Sequence, residues 1–199
     1  MKIALFGTSA DPPTSGHQAV LIWLSHNYDY VAVWAANNPF KSHQTSLENR
    51  VEMLRLLIAD ITPLRENVNL EQELSHLRTV STVENAKGRW GSETEFVVVI
   101  GSDLLSQFQR WYKIKDLLQQ AEVLVIPRPG YTIENNRLDK IRDLGGKITV
   151  ANLTGLDVSS TAYREHGDPQ ALTPSVAAYI NQKHLYECQD STKTKLYFH

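Results

Sequence analysis

The first eighteen residues bring small, hydroxyl and imidazole side chains together at the end of an apolar strand. The apolar pattern of residues 2–6 predicts that strand, and a turn rich in Gly, Ser, Thr and Pro follows it. Ser15 and Gln18 have the spacing of a capping box, which predicts a helix from about Gly16 with His17 in its first turn. The unpaired N–H groups and the positive dipole end of such a turn bind anions, and His17 adds a donor. The segment therefore predicts a nucleotide phosphate site, with an ordinary strand-to-helix turn of an α/β domain as the alternative.

A second strand-to-helix junction carries three consecutive hydroxyl side chains. The apolar segment 147–151 precedes it, and it contains Ser159, Ser160 and Thr161, with Arg164 about one turn further along. One hydroxyl can cap such a helix while the others donate to a polyphosphate. A Ser/Thr cap beside a surface arginine is the simpler interpretation. Two donor-rich helix starts in one small domain, however, favour a site in which each helix start binds one end of a triphosphate.

These two segments resemble the signatures of a nucleotidyltransferase superfamily. Residues 7–12 with 14–17 are similar to the motif that ends in (His/Thr)-x-Gly-His, and residues 158–164 are similar to Ile-Ser-Ser-Thr-x-x-Arg. Other segments of the chain resemble the bacterial nicotinate-nucleotide adenylyltransferases. The resemblance runs in order from about Met1 to Tyr186. The segments that carry it are 38–41, Arg50 with Met53, 101–104, Trp111, 128–130 and 174–186. The resemblance implies a Rossmann-like nucleotidyltransferase fold and adenylyl transfer from ATP to nicotinate mononucleotide. The products would be deamido-NAD, an intermediate of NAD biosynthesis, and pyrophosphate.

The chain departs from the family pattern within the first motif. Thr8 and Ala10 stand where Gly and Phe are usual, and Thr14 stands where His is usual. A threonine hydroxyl still donates to phosphate, so activity is expected, at a rate that the missing imidazole affects. Further along, Thr79 matches the family while the neighbouring Arg78 is atypical.

The resemblance also assigns roles to individual residues. It implies that Thr14, His17 and Arg164 are catalytic, with His17 stabilising charge at the α- and β-phosphates. The implied ATP site comprises Gly7, Thr8, Ser9, Gly16, His17, Gly101, Asp103, Ser159, Ser160, Thr161 and Arg164. The implied mononucleotide site comprises Lys41, Thr79, Trp111 and Arg128. Trp111 would stack on the pyridine ring, although packing also explains an aromatic residue there, and Asp103 would bind ribose hydroxyls or cap the next helix.

Adenylyl transfer of this kind depends on positioning and charge stabilisation, so we expect no covalent enzyme intermediate. Mg²⁺ is expected to bridge the ATP phosphates with mostly water ligands, and the chain is expected to have no metal site of its own.

Composition and charge narrow the class of protein. A chain of 199 residues suits one α/β domain, and a net charge of −2 argues against a nucleic-acid surface. The single cysteine, Cys188, excludes an internal disulfide, and the seven histidines lack zinc-cluster spacing. The apolar run 3–6 is too short for a signal peptide or a membrane span. We therefore expect a cytoplasmic enzyme whose partners are ATP and a pyridine mononucleotide, without nucleic acid or membrane; the sequence leaves its oligomeric state open.

Strands and helices alternate along the chain, which predicts an α/β fold with a doubly wound, mostly parallel sheet. Strands are expected near 2–6, 30–35, 68–71, 95–100, 121–126 and 147–151. Helices are expected near 16–27, 46–60, 78–88, 111–120, 132–144, 159–166 and 174–184. One nucleotidyltransferase domain is expected over residues 1–186, with a polar C-terminal tail over 187–199. The candidate segments follow predicted strands, at the sheet edge where ligands of open α/β sheets bind.

Two other functions remain open from the sequence. The first is another adenylyltransferase of the superfamily, acting on nicotinamide mononucleotide or phosphopantetheine; Trp111 and 128–130 favour pyridine substrates. The second is a catalytically weakened nucleotide-binding or regulatory protein, which the first-motif departures make conceivable and the retained His17 and 159–164 argue against. Between the two mononucleotides the resemblance to the bacterial deamido-type enzymes implies that the acid is preferred. Thr79 can supply a hydroxyl donor for its carboxylate, and neighbouring backbone N–H groups can complete the pocket.

Overall fold

The computed structural model describes residues 1–37 and 45–186. Within these residues, parallel strands alternate with α-helices. The strands are β1 (Lys2–Thr8), β2 (Tyr30–Ala35), β3 (Val68–Leu70), β4 (Glu95–Gly101), β5 (Glu122–Ile126) and β6 (Ile148–Val150). The helices are α1 (Ser15–Asn27), α2 (Leu47–Ala59), α3 (Thr79–Trp90), α4 (Leu105–Phe108), α5 (Ile114–Gln120), α6 (Asn135–Asp143), α7 (Ser160–His166) and α8 (Pro174–Lys183).

The strands form one sheet in the order β3-β2-β1-β4-β5-β6, and every neighbouring pair is parallel. The chain builds the sheet outward from β1 to β3, then returns to the other side of β1 and continues through β4 to β6. The strand order therefore reverses between β1 and β4, which is where open α/β sheets bind ligands. The predicted doubly wound, Rossmann-like fold is confirmed.

Two apolar layers cover the two faces of the sheet. Alternate residues of β4 face opposite layers, so that Val97 and Val99 join one core and Phe96, Val98 and Ile100 join the other. Helices α1, α2 and α8 contribute to the first layer, and α3, α5 and α6 to the second. Burying one such side chain stabilises the fold by about 1.5–3 kcal/mol. The sheet interior is therefore apolar, and polar chemistry is left to the strand ends.

Several element boundaries differ from those expected. The helix predicted over 111–120 begins only at Ile114, because Lys113 adopts a left-handed conformation with φ 50° that interrupts the helix. Trp111 consequently lies in the turn before α5, and the short helix α4 was not predicted. Residues 187–199 lie outside the described residues, so the division into a domain and a tail stays a prediction.

Candidate active site

The two sequence motifs meet beside the reversal point of the sheet, at the carboxyl end of β1. The loop 9–14 leaves β1 and enters α1, whereas α7 follows the loop 151–159 that leaves β6. On the other side of the reversal point, Gly101 ends β4 and Arg128 lies two residues beyond β5. The candidate site is therefore built from loops that a rigid sheet positions.

A capping box formed by Thr14 and His17 starts α1. The backbone N–H of Thr14 donates to Nδ1 of His17 at 3.0 Å, and the Thr14 hydroxyl lies 2.9 Å from the same nitrogen. The predicted box of Ser15 and Gln18 is wrong by one residue, because Thr14 is the N-cap and the helix begins at Ser15. An Nδ1 that accepts from a backbone N–H carries no proton, so the neutral ring has its proton on Nε2. His17 lies in the first turn, as predicted, and is oriented as an Nε2–H donor.

The second motif is placed against the first by a serine hydroxyl. Ser159 is the N-cap of α7 and accepts from the backbone N–H of Ala162 at 3.0 Å. Ser160 donates to the carbonyl of Pro12 at 2.7 Å, across 148 positions of sequence. One of the three hydroxyls therefore caps the helix, as the simpler interpretation required, while the next joins α7 to the loop after β1.

Arg164 and Gly16 tighten the same junction. The Arg164 guanidinium donates to the carbonyl of Asp11 and, at 3.3 Å, to the hydroxyl of Thr161. A Cβ at Gly16 would lie 3.1 Å from Cγ2 of Val158, so Val158 would have to move by a few tenths of an ångström. Glycine at this position thus allows the first turn of α1 and the residue before the Ser-Ser-Thr run to pack together.

A buried arginine lies beneath the loop. Arg50 is 2% exposed, and its Nη1 donates to the carbonyls of Ser9 and Ala36, at 2.8 Å each. Burial lowers the pKa of the Arg50 guanidinium, and the charge of nearby Asp11 opposes that shift. Arg50 thereby joins the loops that follow β1 and β2. The sequence resemblance included Arg50 but gave it no role.

Gly101, Asp103 and Arg128 form the other half of the site. Nη1 of Arg128 lies 3.0 Å from Oδ2 of Asp103, and the Arg128 backbone N–H donates to the Ser102 hydroxyl at 3.0 Å. A Cβ at Gly101 would collide with Oδ1 of Asp103, so a side chain there would force the Asp103 carboxylate to move. The alternative that Asp103 caps the next helix is wrong: its carboxylate pairs with Arg128, and neither the 3₁₀ turn Ser102–Leu104 nor α4 has a side-chain cap.

Trp111 and Thr79 are the other candidate residues for the mononucleotide. The half-buried Trp111 ring packs on Phe108, with centroids 4.7 Å apart and planes tilted by 57°. Thr79 is the first residue of α3, and the guanidinium of Arg78 just before it lies 5.0 Å from the ring centroid of Tyr112. Arg78 and Tyr112 are both exposed, so positive charge and an aromatic face are presented to solvent beside Trp111.

Two further candidate residues, Gly7 and Thr8, contact residues in or next to β2. A Cβ at Gly7 would lie 2.7 Å from Cε2 of Trp34, so packing against the indole already requires glycine there. The Thr8 carbonyl accepts from the backbone N–H of Ala36 at 2.7 Å, which extends the β1–β2 ladder. Lys41 lies outside the described residues.

The comparisons with known proteins agree on one family. Residues 5–166 match the cytidylyltransferase-like family model. A probable nicotinate-nucleotide adenylyltransferase of Synechocystis is 43% identical over 94% of this chain and 99% of its own length. The nicotinate-nucleotide adenylyltransferase of Bacillus subtilis is 28% identical, over 94% of this chain and 98% of its own. The chain belongs to the cytidylyltransferase-like family and, within it, to the nicotinate-nucleotide adenylyltransferases.

Solved structures share the fold of this family member. A nicotinic acid mononucleotide adenylyltransferase of Plasmodium falciparum, complexed with NaAD, superposes with a TM-score of 0.79 at 22% identity and covers 93% of this chain and 97% of its own. The same protein complexed with APC gives a TM-score of 0.78, also at 22% identity, over 93% of this chain and 96% of its own.

Among residues 1–37 and 45–186, no helix is long and apolar enough to cross a membrane.

Proposed function

We propose that this chain transfers the adenylyl group of ATP to nicotinate mononucleotide, giving deamido-NAD and pyrophosphate. The observation that carries the proposal is the junction of the two motifs, in which Ser160 binds the Pro12 carbonyl and Arg164 binds that of Asp11. The junction sets the first turns of α1 and α7 side by side, so that two sets of anion-binding donors serve one polyphosphate. Family membership supports the same reaction, as do the nucleotide complexes of the Plasmodium falciparum protein.

In the proposed reaction, a phosphate oxygen of the mononucleotide attacks the α-phosphorus of ATP in line, and pyrophosphate leaves. The chain has to align the two nucleotides and stabilise charge on the phosphates. Nε2–H of His17, fixed by the Thr14 capping box, is the donor aimed at that charge. Arg164 and the hydroxyls of Ser159 and Thr161, which accept in their protein hydrogen bonds and keep their own protons, hold the triphosphate. No covalent intermediate is needed.

Mg²⁺ enters this reaction as part of the substrate, MgATP. The donors of the two motifs are N–H, hydroxyl and guanidinium groups, which bind the phosphate anions. Phosphate oxygens and water are therefore the ligands that Mg²⁺ would use here. Among the described residues, no group of three or more His, Cys, Asp or Glu side chains lies together as a metal site.

In this proposal, Asp103 binds a ribose hydroxyl and Arg128 binds the phosphate of the mononucleotide. Oδ1 of Asp103 is buried and accepts no hydrogen bond within the described part of the chain. Such an oxygen favours a donor from a ligand, which a ribose hydroxyl supplies. Oδ2 meanwhile holds the guanidinium of Arg128, which offers its remaining donors to the mononucleotide phosphate, with Lys41 as its proposed companion.

The acid mononucleotide is the proposed substrate because α3 starts without a side-chain cap, which leaves first-turn N–H groups for a carboxylate. Thr79 adds a hydroxyl at the same helix start. An amide NH₂ facing those donors would leave them unpaired, which favours the acid. We expect kcat/KM for nicotinate mononucleotide to exceed that for the amide by at least about 100-fold.

The test is to measure deamido-NAD and pyrophosphate formation with ATP and each mononucleotide, in wild type and in Thr79→Ala, Thr79→Ser and Arg78→Ala. Thr79→Ala should lower the preference for the acid, while Thr79→Ser, which keeps the hydroxyl, should retain it. Equal or amide-favouring values in wild type would contradict the substrate. ATP binding without turnover of either mononucleotide would favour the regulatory alternative.

A further inference from the structure

A hydrogen bond joins the loop after β1 to the chain segment that follows α8. The Tyr186 hydroxyl donates to Oδ1 of Asp11 at 2.8 Å, across 175 positions of sequence. Asp11 is only 3% exposed, so its carboxylate depends on protein donors rather than on water. Burial and the bond to Asp11 both raise the pKa of the Tyr186 phenol, which therefore keeps its proton and remains a donor at physiological pH.

Asp11 lies at the centre of the loop that carries the first motif. Its backbone carbonyl accepts from Arg164, and the next carbonyl, that of Pro12, accepts from Ser160. Thr14, three residues after Asp11, orients the His17 ring. A rotation of the Asp11 backbone would therefore displace both the α7 contacts and the start of α1.

We propose that Tyr186 is a positioning residue for adenylyl transfer: its hydroxyl fixes the Asp11 carboxylate and, through it, the loop that places His17 and Arg164. The proposal rests on the proposed function. The hydroxyl acts through Asp11 and does not itself touch a nucleotide.

The ring of Tyr186 has a separate packing role. It meets the ring of Tyr163 edge-on, with centroids 6.1 Å apart and planes at 90°. Tyr186→Phe keeps that contact and deletes only the hydroxyl, which separates positioning from packing.

Tyr179→Phe is the matched control. The Tyr179 hydroxyl also joins the C-terminal part of the chain to the body of the protein, donating to Oδ1 of Asn49 on α2 at 2.9 Å. Its partner lies outside the loop 9–14, so the control removes a comparable tyrosine hydrogen bond without touching Asp11.

The experiment compares wild type, Y186F and Y179F by steady-state kinetics and by amide hydrogen exchange of the segment 7–17. Y186F should lower kcat about 10-fold, leave KM for nicotinate mononucleotide unchanged, and speed exchange in this segment about 10-fold. Y179F should change neither kcat nor exchange in the segment. Thermal unfolding, measured in parallel, reports the loss of stability that both variants share.

A Y186F enzyme with the kcat of Y179F, or with unchanged exchange in 7–17, would overturn the positioning role. A merely structural hydroxyl would lower Tm without affecting kcat well below Tm. If wild type formed no deamido-NAD, the proposed function would fail, and exchange in 7–17 together with affinity for MgATP would then decide whether Tyr186 positions the loop.

Discussion

At the scale of single residues, the orientation of His17 is the feature with the clearest kinetic consequence. The Thr14 N–H fixes Nδ1 as an acceptor, which leaves Nε2–H as the donor. We expect His17→Ala to lower kcat by about 10²–10³-fold without unfolding the protein, because it removes one placed donor to a charged transition state.

The control for this prediction is His26→Ala, in the last turn of the same helix, where the imidazole contacts Arg65 instead of the site. Steady-state kinetics with MgATP should show near-normal turnover for His26→Ala. Near-normal turnover of His17→Ala would remove His17 from the mechanism.

Trp111 presents a second residue-scale prediction. Its ring packs on Phe108 at a tilt of 57°, and the residue is half-buried. Trp111→Ala should raise KM for the mononucleotide about 10-fold and change KM for ATP little, because stacking contributes about 1 kcal/mol or more. Trp111→Phe, which keeps a flat ring, should show a smaller effect. Parallel rises of both KM values, or loss of folding, would identify Trp111 as a packing residue.

The residue patterns predicted the position of His17 correctly but assigned the helix cap to the wrong residue. His17 was placed correctly in the first turn because helix starts have recognisable caps. The cap itself was assigned one residue late, because Thr14 to His17 and Ser15 to Gln18 share the same spacing of three, and only the folded loop distinguishes them.

At the scale of elements, α7 combines polar contacts with the packing of Tyr163 against the core and against Tyr186. It has seven residues, none of them fully buried, and depends on its Ser159 cap and on its bonds to the loop after β1. We expect Ser159→Ala to lower the free energy of unfolding by about 1 kcal/mol and to raise KM for ATP.

Ser46→Ala provides the matched control, because Ser46 caps α2 through the backbone N–H of Asn49 at 3.3 Å. Both variants should lose similar stability in denaturant titrations, and only Ser159→Ala should affect KM for ATP. An unaltered KM in Ser159→Ala would mean that the cap has no influence on the triphosphate site.

Element prediction succeeded where periodicity was strong and failed where one residue changed the backbone. The helix predicted near 46–60 is present as α2, and its stripe of Met53, Leu54 and Leu57 is buried. Arg50 falls on the same stripe, one turn earlier, and this position was the available sign that its side chain is buried. The late start of α5 at Lys113 had no such sign, because a lysine gives no warning of a left-handed conformation.

At the scale of the whole molecule, Arg50 joins the loops on which the site is built. Arg50→Met should lower the free energy of unfolding by about 2–4 kcal/mol, because the carbonyls of Ser9 and Ala36 lose a buried charged donor. Arg55→Met, on the same helix but exposed and paired with Glu52, should leave stability nearly unchanged. Chemical denaturation of both variants measures the difference, and equal stabilities would show that the Arg50 bonds are dispensable.

The contacts that converge on Asp11 also determine when the site can form during synthesis. Its partners Arg164 and Tyr186 lie 153 and 175 positions further along the chain. Contacts between such distant positions form late, because the intervening chain must first be ordered. A chain that ends before residue 186 can contain every strand of the sheet, but its first motif lacks the hydrogen bond from Tyr186 to Asp11.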